Sequence, residues 1–197
     1  MDAPILHSIS CRYNQTCMEL IETSLPGVVR LRPRRFADAR GWFMETWNER
    51  TFQSLGLPVQ FKQDNQSHSL KNVLRGLHYQ ITQPQGKLVR ALQGAIFDVA
   101  VDIHRSSPHF GQWVGVELSA DNGEMLWIPP GFAHGFLVLT ETAGVAYKAT
   151  DFYHPQGERT LLWNDPAIRI AWPLGAQPIV SEKDALGDTI HAAELPE

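Results

Sequence analysis

Glycine and proline punctuate this chain from end to end, 15 and 13 of them in 197 residues. Between them lie short runs rich in Val, Ile, Leu and aromatic residues, at 28–33, 87–92, 95–103, 113–118, 125–128 (leading into 129–139) and 143–150. Each has the length and composition of a strand bounded by turn residues. The run from Ala95 to Ile103 is the strongest, and Asp98 and Asp102, four apart, fall on one of its faces. We read both as structural or rim carboxylates. Asp121-Asn122-Gly123 predicts a hairpin turn. One stretch, 48–57, predicts a helix: Asn48 suits the N-cap, Glu49 the first turn and Gly56 the end. Helices and strands do not alternate, and there is no internal repeat. The expectation is an all-β chain, a cupin-type jelly-roll barrel with one or two short helices. Small barrels hold ligands in their mouths.

Residues 1–17 show no apolar period and are expected to form an N-terminal extension to a single domain at 18–197. Both cysteines, Cys11 and Cys17, lie in that extension without a CxxC spacing, so they read as peripheral. The net charge of −4 and the absence of any Lys/Arg run longer than two argue against nucleic-acid binding. No apolar run approaches the length of a bilayer span, and no basic-then-apolar leader opens the chain. A cytoplasmic protein without a membrane partner is the expectation.

The stretch Asn72-Val73-Leu74-Arg75-Gly76-Leu77-His78-Tyr79-Gln80 is the least ordinary strand. In a regular strand Arg75 and His78 face opposite ways. A bulge at Gly76 adds one residue and brings the cation and the imidazole to the same side. That pairing suits an anionic ligand. The polar run Gln63-Asp64-Asn65 reads as a solvated loop, or as hydrogen-bonding groups if it lines a pocket. Arg40, Trp42 and Glu45 follow a turn at 38–41 and are candidates for a cleft rim or for plain surface.

Pro129-x-Gly131-x-x-His134 resembles the second cupin motif, whose histidine is often a metal ligand. The first motif needs His-x-His and a later Glu. Here Gln80 follows His78, Leu88 stands ten residues after it, and Lys87 brings a positive charge. A catalytic metal ordinarily takes three protein ligands. We therefore expect the cupin fold without a metal.

Longer motifs then converge. The stretch 72–80, Gln85-Gly86-Lys87-Leu88-Val89-Arg90, Phe97-Asp98-Val99-Ala100-Val101-Asp102 and Ser107-Pro108-x-Phe110-Gly111 are joined by the run from Leu126 to Phe136, Tyr147-Lys148 and Leu162-Trp163-Asn164-Asp165-Pro166. Together they resemble the dTDP-4-dehydrorhamnose 3,5-epimerase family, near-continuously from about residue 20 to 185. Two departures stand out: Glu182 where a small residue is usual before Lys183, and Trp42 where Phe is usual.

The resemblance implies a homodimer with no cofactor and no metal. Its substrate would be dTDP-4-dehydro-6-deoxy-D-glucose, and its product would feed dTDP-L-rhamnose for cell-surface polysaccharide. It implies His78 as base, Asp184 as the carboxylate behind it and Tyr147 as acid. Substrate contacts would fall on Arg40, Trp42, Glu45, Gln63, Asp64, Asn65, Arg75, Lys87, His134, Glu158 and Lys183. The chemistry is coherent with those residue types. Hydrogens at C3 and C5 of a 4-keto sugar are acidic, and a neutral imidazole can take them near pH 7. The enolate oxygen needs a donor or cation, for which Lys87 is the candidate. Inversion needs a second group on the opposite face, and a phenol can serve. Arg75 and Arg40 suit the pyrophosphate. Two alternatives remain: a 3-only or 5-only epimerase on a related sugar nucleotide, and a non-catalytic sugar-binding cupin. The latter would not need His78, Tyr147 and Asp184 together. A metal-dependent cupin oxygenase is a third.

Overall fold

The computed structural model describes residues 17–196. The strands are β1 (Met18–Glu22), β2 (Val29–Pro33), β3 (Arg35–Asp38), β4 (Gly41–Met44), β5 (Gln63–Leu70), β6 (Leu74–Gln80), β7 (Lys87–Gln93), β8 (Ala95–Asp102), β9 (Trp113–Ser119), β10 (Met125–Ile128), β11 (Phe132–Val138), β12 (Thr142–Ala149) and β13 (Glu158–Thr160). Two short helices, α1 (Glu49–Ser54) and α2 (Glu182–Ala185), complete it. One six-stranded sheet runs β1-β2-β10-β7-β12-β5, and one five-stranded sheet runs β13-β6-β11-β8-β9. All ladder pairs are antiparallel. The all-β expectation with one or two short helices is met.

Apolar residues fill three layers. Between the sheets, Val28, Val89, Leu126, Ile128 and Val145 meet Ile96, Ala100, Leu118, Phe132 and Phe136. Outside the five-stranded sheet, Leu74, Leu77, Tyr79, Val99 and Val101 are covered by Leu161, Ile168, Trp172 and Ile190 of the C-terminal segment. Outside the six-stranded sheet, Leu31, Leu88, Met125 and Trp127 pack on Phe52 of α1. This two-sided burial explains why β8 and β11 read as almost unbroken apolar runs rather than alternating ones. α1 begins where the sequence says: Asn48 accepts from the Arg50 and Thr51 amides. Such a cap is worth about 1 kcal/mol, and burying Phe52 fully adds roughly 2 kcal/mol.

Three expectations need correction. Asp121-Asn122-Gly123 is a tight turn, with Asn122 Oδ1 accepting from the Ser119 and Glu124 amides. It does not make a hairpin, because β9 and β10 belong to different sheets. A local turn signal reports the reversal but not which sheet receives the next strand. The polar run 63–70 is a strand, β5, at one edge of the six-stranded sheet. Cys17, read as peripheral, is buried immediately before β1. Cys11 and residues 1–16 lie outside the described residues, and with them the expected N-terminal extension.

Candidate active site

Strand β6 carries a bulge where the glycine predicts one. Against β11, His78 pairs with His134 and Arg75 with Phe136, so three steps on β6 match two on β11. Directly paired residues share a sheet face, and His134 and Phe136, two apart, share theirs. Arg75 and His78 therefore point the same way, into the barrel with Phe136. Leu74, Leu77 and Tyr79 pack on the outside. Gly76 has φ +115°, and a Cβ there would lie 2.6 Å from both Gly135 Cα and the His134 carbonyl oxygen. Only glycine lets the two strands approach this closely.

His78 Nε2 lies 2.7 Å from Asp184 Oδ1. Asp184, on α2, also accepts from the Gly76 amide through its second oxygen at 3.2 Å. Burial works against its charge, but the bonds from His78 and Gly76 outweigh that and hold the carboxyl below the usual carboxylate range. An ionised Asp184 accepts a hydrogen bond from Nε2–H, which leaves Nδ1 as the basic nitrogen of the ring. The bulge glycine thus also helps to hold the carboxylate behind the imidazole.

The opposite sheet supplies two more groups. Lys87 opens β7 and donates weakly to the His78 carbonyl oxygen at 3.4 Å. Burial pushes its pKa down to about 8, despite attraction from Asp98 and Glu158. Tyr147 lies on β12, packed against the inter-sheet core. Burial raises its pKa while the Arg75 cation pulls the other way, so at neutral pH it is a phenol with a proton to give. Arg75 itself donates from Nε to Ser69 Oγ at 2.9 Å and faces no carboxylate in an ion pair among the described residues.

His134 is buried, with Nε2 2.8 Å from Asp98 Oδ1. Burial lowers its pKa against the pull of that carboxylate. Glu158 on β13 pairs with Lys183 at 2.9 Å and accepts from the Tyr153 hydroxyl at 2.9 Å. The Tyr153 amide in turn donates to Gln63 Oε1, whose own amide donates to Asn65 Oδ1. Asn65 is opposite Tyr147 in register. The structure thus gathers Arg75, His78, Lys87, His134, Tyr147, Glu158, Lys183 and Asp184, with Gln63 and Asn65 beside them.

Four of the residues carried over by resemblance stand elsewhere. Asp64 alternates with Gln63 and Asn65, so it faces outward and pairs with Lys148 at 3.0 Å. There it borders a concavity of about 400 Å³ beside Trp47, Arg90 and Leu92, whose lining also includes Asn65 and Tyr147. Glu45 accepts from Asn48 and Thr51 at the start of α1. Arg40 is held by Asp38 on its own hairpin. Trp42, 56% exposed, sits on the β3–β4 pair, a sheet of two strands that joins neither large sheet and is stacked under the Arg35 guanidinium. Resemblance assigns residues to a site, but a single chain need not bring them all together.

One residue was undervalued by sequence reasoning. Asp98 is not at a rim but fully buried, bonded to His134. The signal was there. A carboxylate inside the apolar run Ile96 to Val101 has to find a donor or a cation within the barrel.

Comparison with known proteins now adds a family. The model of the dTDP-4-dehydrorhamnose 3,5-epimerase family matches residues 22–192. The chain is 54% identical over 178 residues to the dTDP-4-dehydrorhamnose 3,5-epimerase of Pseudomonas aeruginosa, spanning 90% of this chain and 98% of that one. Its fold matches, with TM-score 0.89 and 48% identity, an epimerase from Legionella pneumophila solved with dTDP-4-keto-L-rhamnose, over 91% and 97% of the two chains. It also matches, with TM-score 0.84 and 31% identity over 89% and 92%, a 3'-monoepimerase from Streptomyces bikiniensis. That protein was solved with dTDP in a form in which one histidine and one tyrosine are replaced.

Proposed function

This chain belongs to the dTDP-4-dehydrorhamnose 3,5-epimerase family, and from that premise we propose that it inverts C3 and C5 of dTDP-4-dehydro-6-deoxy-D-glucose to give dTDP-4-dehydro-L-rhamnose. The observation that carries the reading is the His78–Asp184 pair at 2.7 Å, with His78 in the sheet opposite the one that bears Tyr147 and Lys87 and Asp184 on α2. His78 Nδ1 takes the proton α to the ketone. Asp184 fixes the ring tautomer and stabilises the imidazolium that forms. Charge moves to the C4 oxygen as the enolate develops, and the Lys87 ammonium is the donor for it. Tyr147 returns a proton from the other side of the ring, which is what inversion requires. The same steps serve C3 and C5 in turn, because both carbons flank the carbonyl, once solvent has taken the proton from His78 and returned one to Tyr147. Arg75, which pairs with no carboxylate among the described residues, suits the pyrophosphate.

The monoepimerase relative is the nearest rival. A tyrosine and a histidine were replaced in it, so Tyr147 and His78 alone do not separate single from double epimerisation. Sequence favours the double reaction: identity to the Pseudomonas 3,5-epimerase is 54%, against 31% to the monoepimerase. Incubation with the 4-keto sugar nucleotide in deuterated water, followed by proton NMR, decides between them. We expect deuterium at both C3 and C5. Deuterium at one carbon selects the narrower enzyme, and none at either leaves a binding protein.

The homodimer is part of the same proposal. Trp42 and Phe43 are 56% and 49% exposed on the two-stranded β3–β4 sheet. Aromatic exposure of that kind is characteristic of a surface that meets a partner. Arg40 and Trp42 stand apart from His78 in their own chain, so a second copy is the natural way to bring them to a substrate. Sedimentation velocity at micromolar concentration should show a species of twice the 22.2 kDa chain mass, shifted to monomer in a Trp42→Ser, Phe43→Ser variant. A monomeric wild type would reject the dimer. Among the described residues no helix is long and apolar enough to cross a membrane.

A further inference from the structure

One charged group inside the barrel has no part in the steps above. Asp98 is fully buried in the middle of β8. Its Oδ1 is 2.8 Å from His134 Nε2, and its Oδ2, equally buried, has no hydrogen-bond partner. A carboxylate oxygen without a donor in such a place persists only beside a compensating charge. Among the described residues no Lys or Arg stands within ion-pair distance of Asp98, and Lys87, on the facing sheet, is the cation that feels its charge at longer range. Its ammonium has three N–H donors and makes one long bond, 3.4 Å to the His78 carbonyl oxygen. Asp98 is the strongest attraction that Lys87 feels.

We propose that Asp98 is a positioning residue for the epimerisation: its one buried charge orients the His134 ring through Nε2 and keeps the Lys87 ammonium charged where the enolate oxygen forms. This rests on the reading of Lys87 as the enolate's donor. The groups facing Lys87 are Asp98 from β8, Glu158 from β13, Lys183 from α2, the His134 ring from β11 and the His78 carbonyl from β6. Asp98 and Glu158 attract it, Lys183 repels it, and burial disfavours its charge most of all. With the balance already at about 8, losing one of two anions puts the cation at risk near neutral pH. His134 faces Asp98, Lys87 and His78, so a charge lost at Asp98 is felt by both groups at once.

The test is Asp98→Asn, which keeps an oxygen for the His134 Nε2 proton and removes the charge. Activity that needs charged Lys87 falls as pH rises through its pKa. Removing an anion lowers that pKa, so the alkaline limb of kcat moves to lower pH. We expect a move of about one pH unit, seen as a roughly tenfold further loss relative to wild type across that limb. A purely structural role would lower stability and leave the limb where it was, and that result overturns the proposal. Carbon-13 NMR of the lysine ε-carbons, with Lys87 assigned through Lys87→Arg, should show the same downward move without substrate. Absence of proton exchange in the wild type rejects the assigned reaction, whereas exchange in the wild type with an unmoved Lys87 titration rejects the role of Asp98. Should Asp98→Asn fail to fold, the Asp98 carboxyl carbon in the wild type carries the test. It must report a carboxylate at pH 7, and a protonated acid there overturns the proposal.

Discussion

Replacing His78 with alanine is expected to lower turnover by about 10²–10⁴-fold, the usual worth of a positioned general base. The loss should fall on kcat, because the imidazole acts when the proton moves and contributes little to holding the sugar. Deuterium exchange should vanish at C3 and C5 together, since one base serves both carbons. Arg40→Ala is the contrast. It removes a cation assigned to the pyrophosphate, and it should raise KM far more than it lowers kcat. The alanine at 78 leaves Asp184, only 3% exposed, without its 2.7 Å donor. A buried acceptor that loses its partner costs about 1–3 kcal/mol. Stability must therefore be measured beside activity, and His78→Gln, whose amide nitrogen reaches the Nε2 position and can still donate to Asp184, gives the cleaner kinetic comparison. A His78→Ala protein as active as the wild type would end the mechanism.

Gly76→Ala is expected to damage fold and function together. The backbone sits at φ +115°, where an L side chain is strained. The added Cβ would meet Gly135 Cα and the His134 carbonyl oxygen at 2.6 Å, and both are backbone atoms that cannot swing aside. Strain and clash together should remove at least about 2 kcal/mol of stability. For a chain of this size that corresponds to roughly 4–8 °C in melting temperature. The functional loss follows from three contacts at one place. The bulge puts Arg75 and His78 on one face, the Gly76 amide donates to Asp184, and Asp184 holds His78. Moving the glycine disturbs the anion site and the base at once, so kcat should fall by more than the unfolded fraction explains. Thermal melts with kinetics well below the transition measure both. An alanine variant with wild-type melting and turnover would show that the bulge tolerates a side chain.

Much of this protein is local and therefore legible in its sequence. Strand runs such as 95–103, the Asn48 cap and the glycine at the bulge announce themselves, because each depends on neighbours a few residues away. The long motifs around His78, Lys87 and Tyr147 point to a family, and the chain's match over residues 22–192 agrees. Other features were not local. Whether the turn at 121–123 closes a hairpin or passes between sheets depends on which partner each flanking strand finds. Gln63 and Asn65 look inward while Asp64 looks outward because β5 is a strand with a period of two. A polar sequence alone cannot announce that alternation when both faces are hydrophilic.

The candidates for proton transfer, and the glycine that lets β6 bulge, can thus be named from sequence alone, because a bulge at glycine is a property of a few consecutive residues. Tertiary structure decided which groups meet. Asp184 is 106 residues from His78 and Asp98 is 36 from His134. Those pairings exist only because barrel closure and the docking of α2 bring buried, distant carboxylates to the His134 and His78 imidazoles. A buried charge must have a partner, but sequence does not say which one, and only the packed barrel makes that choice.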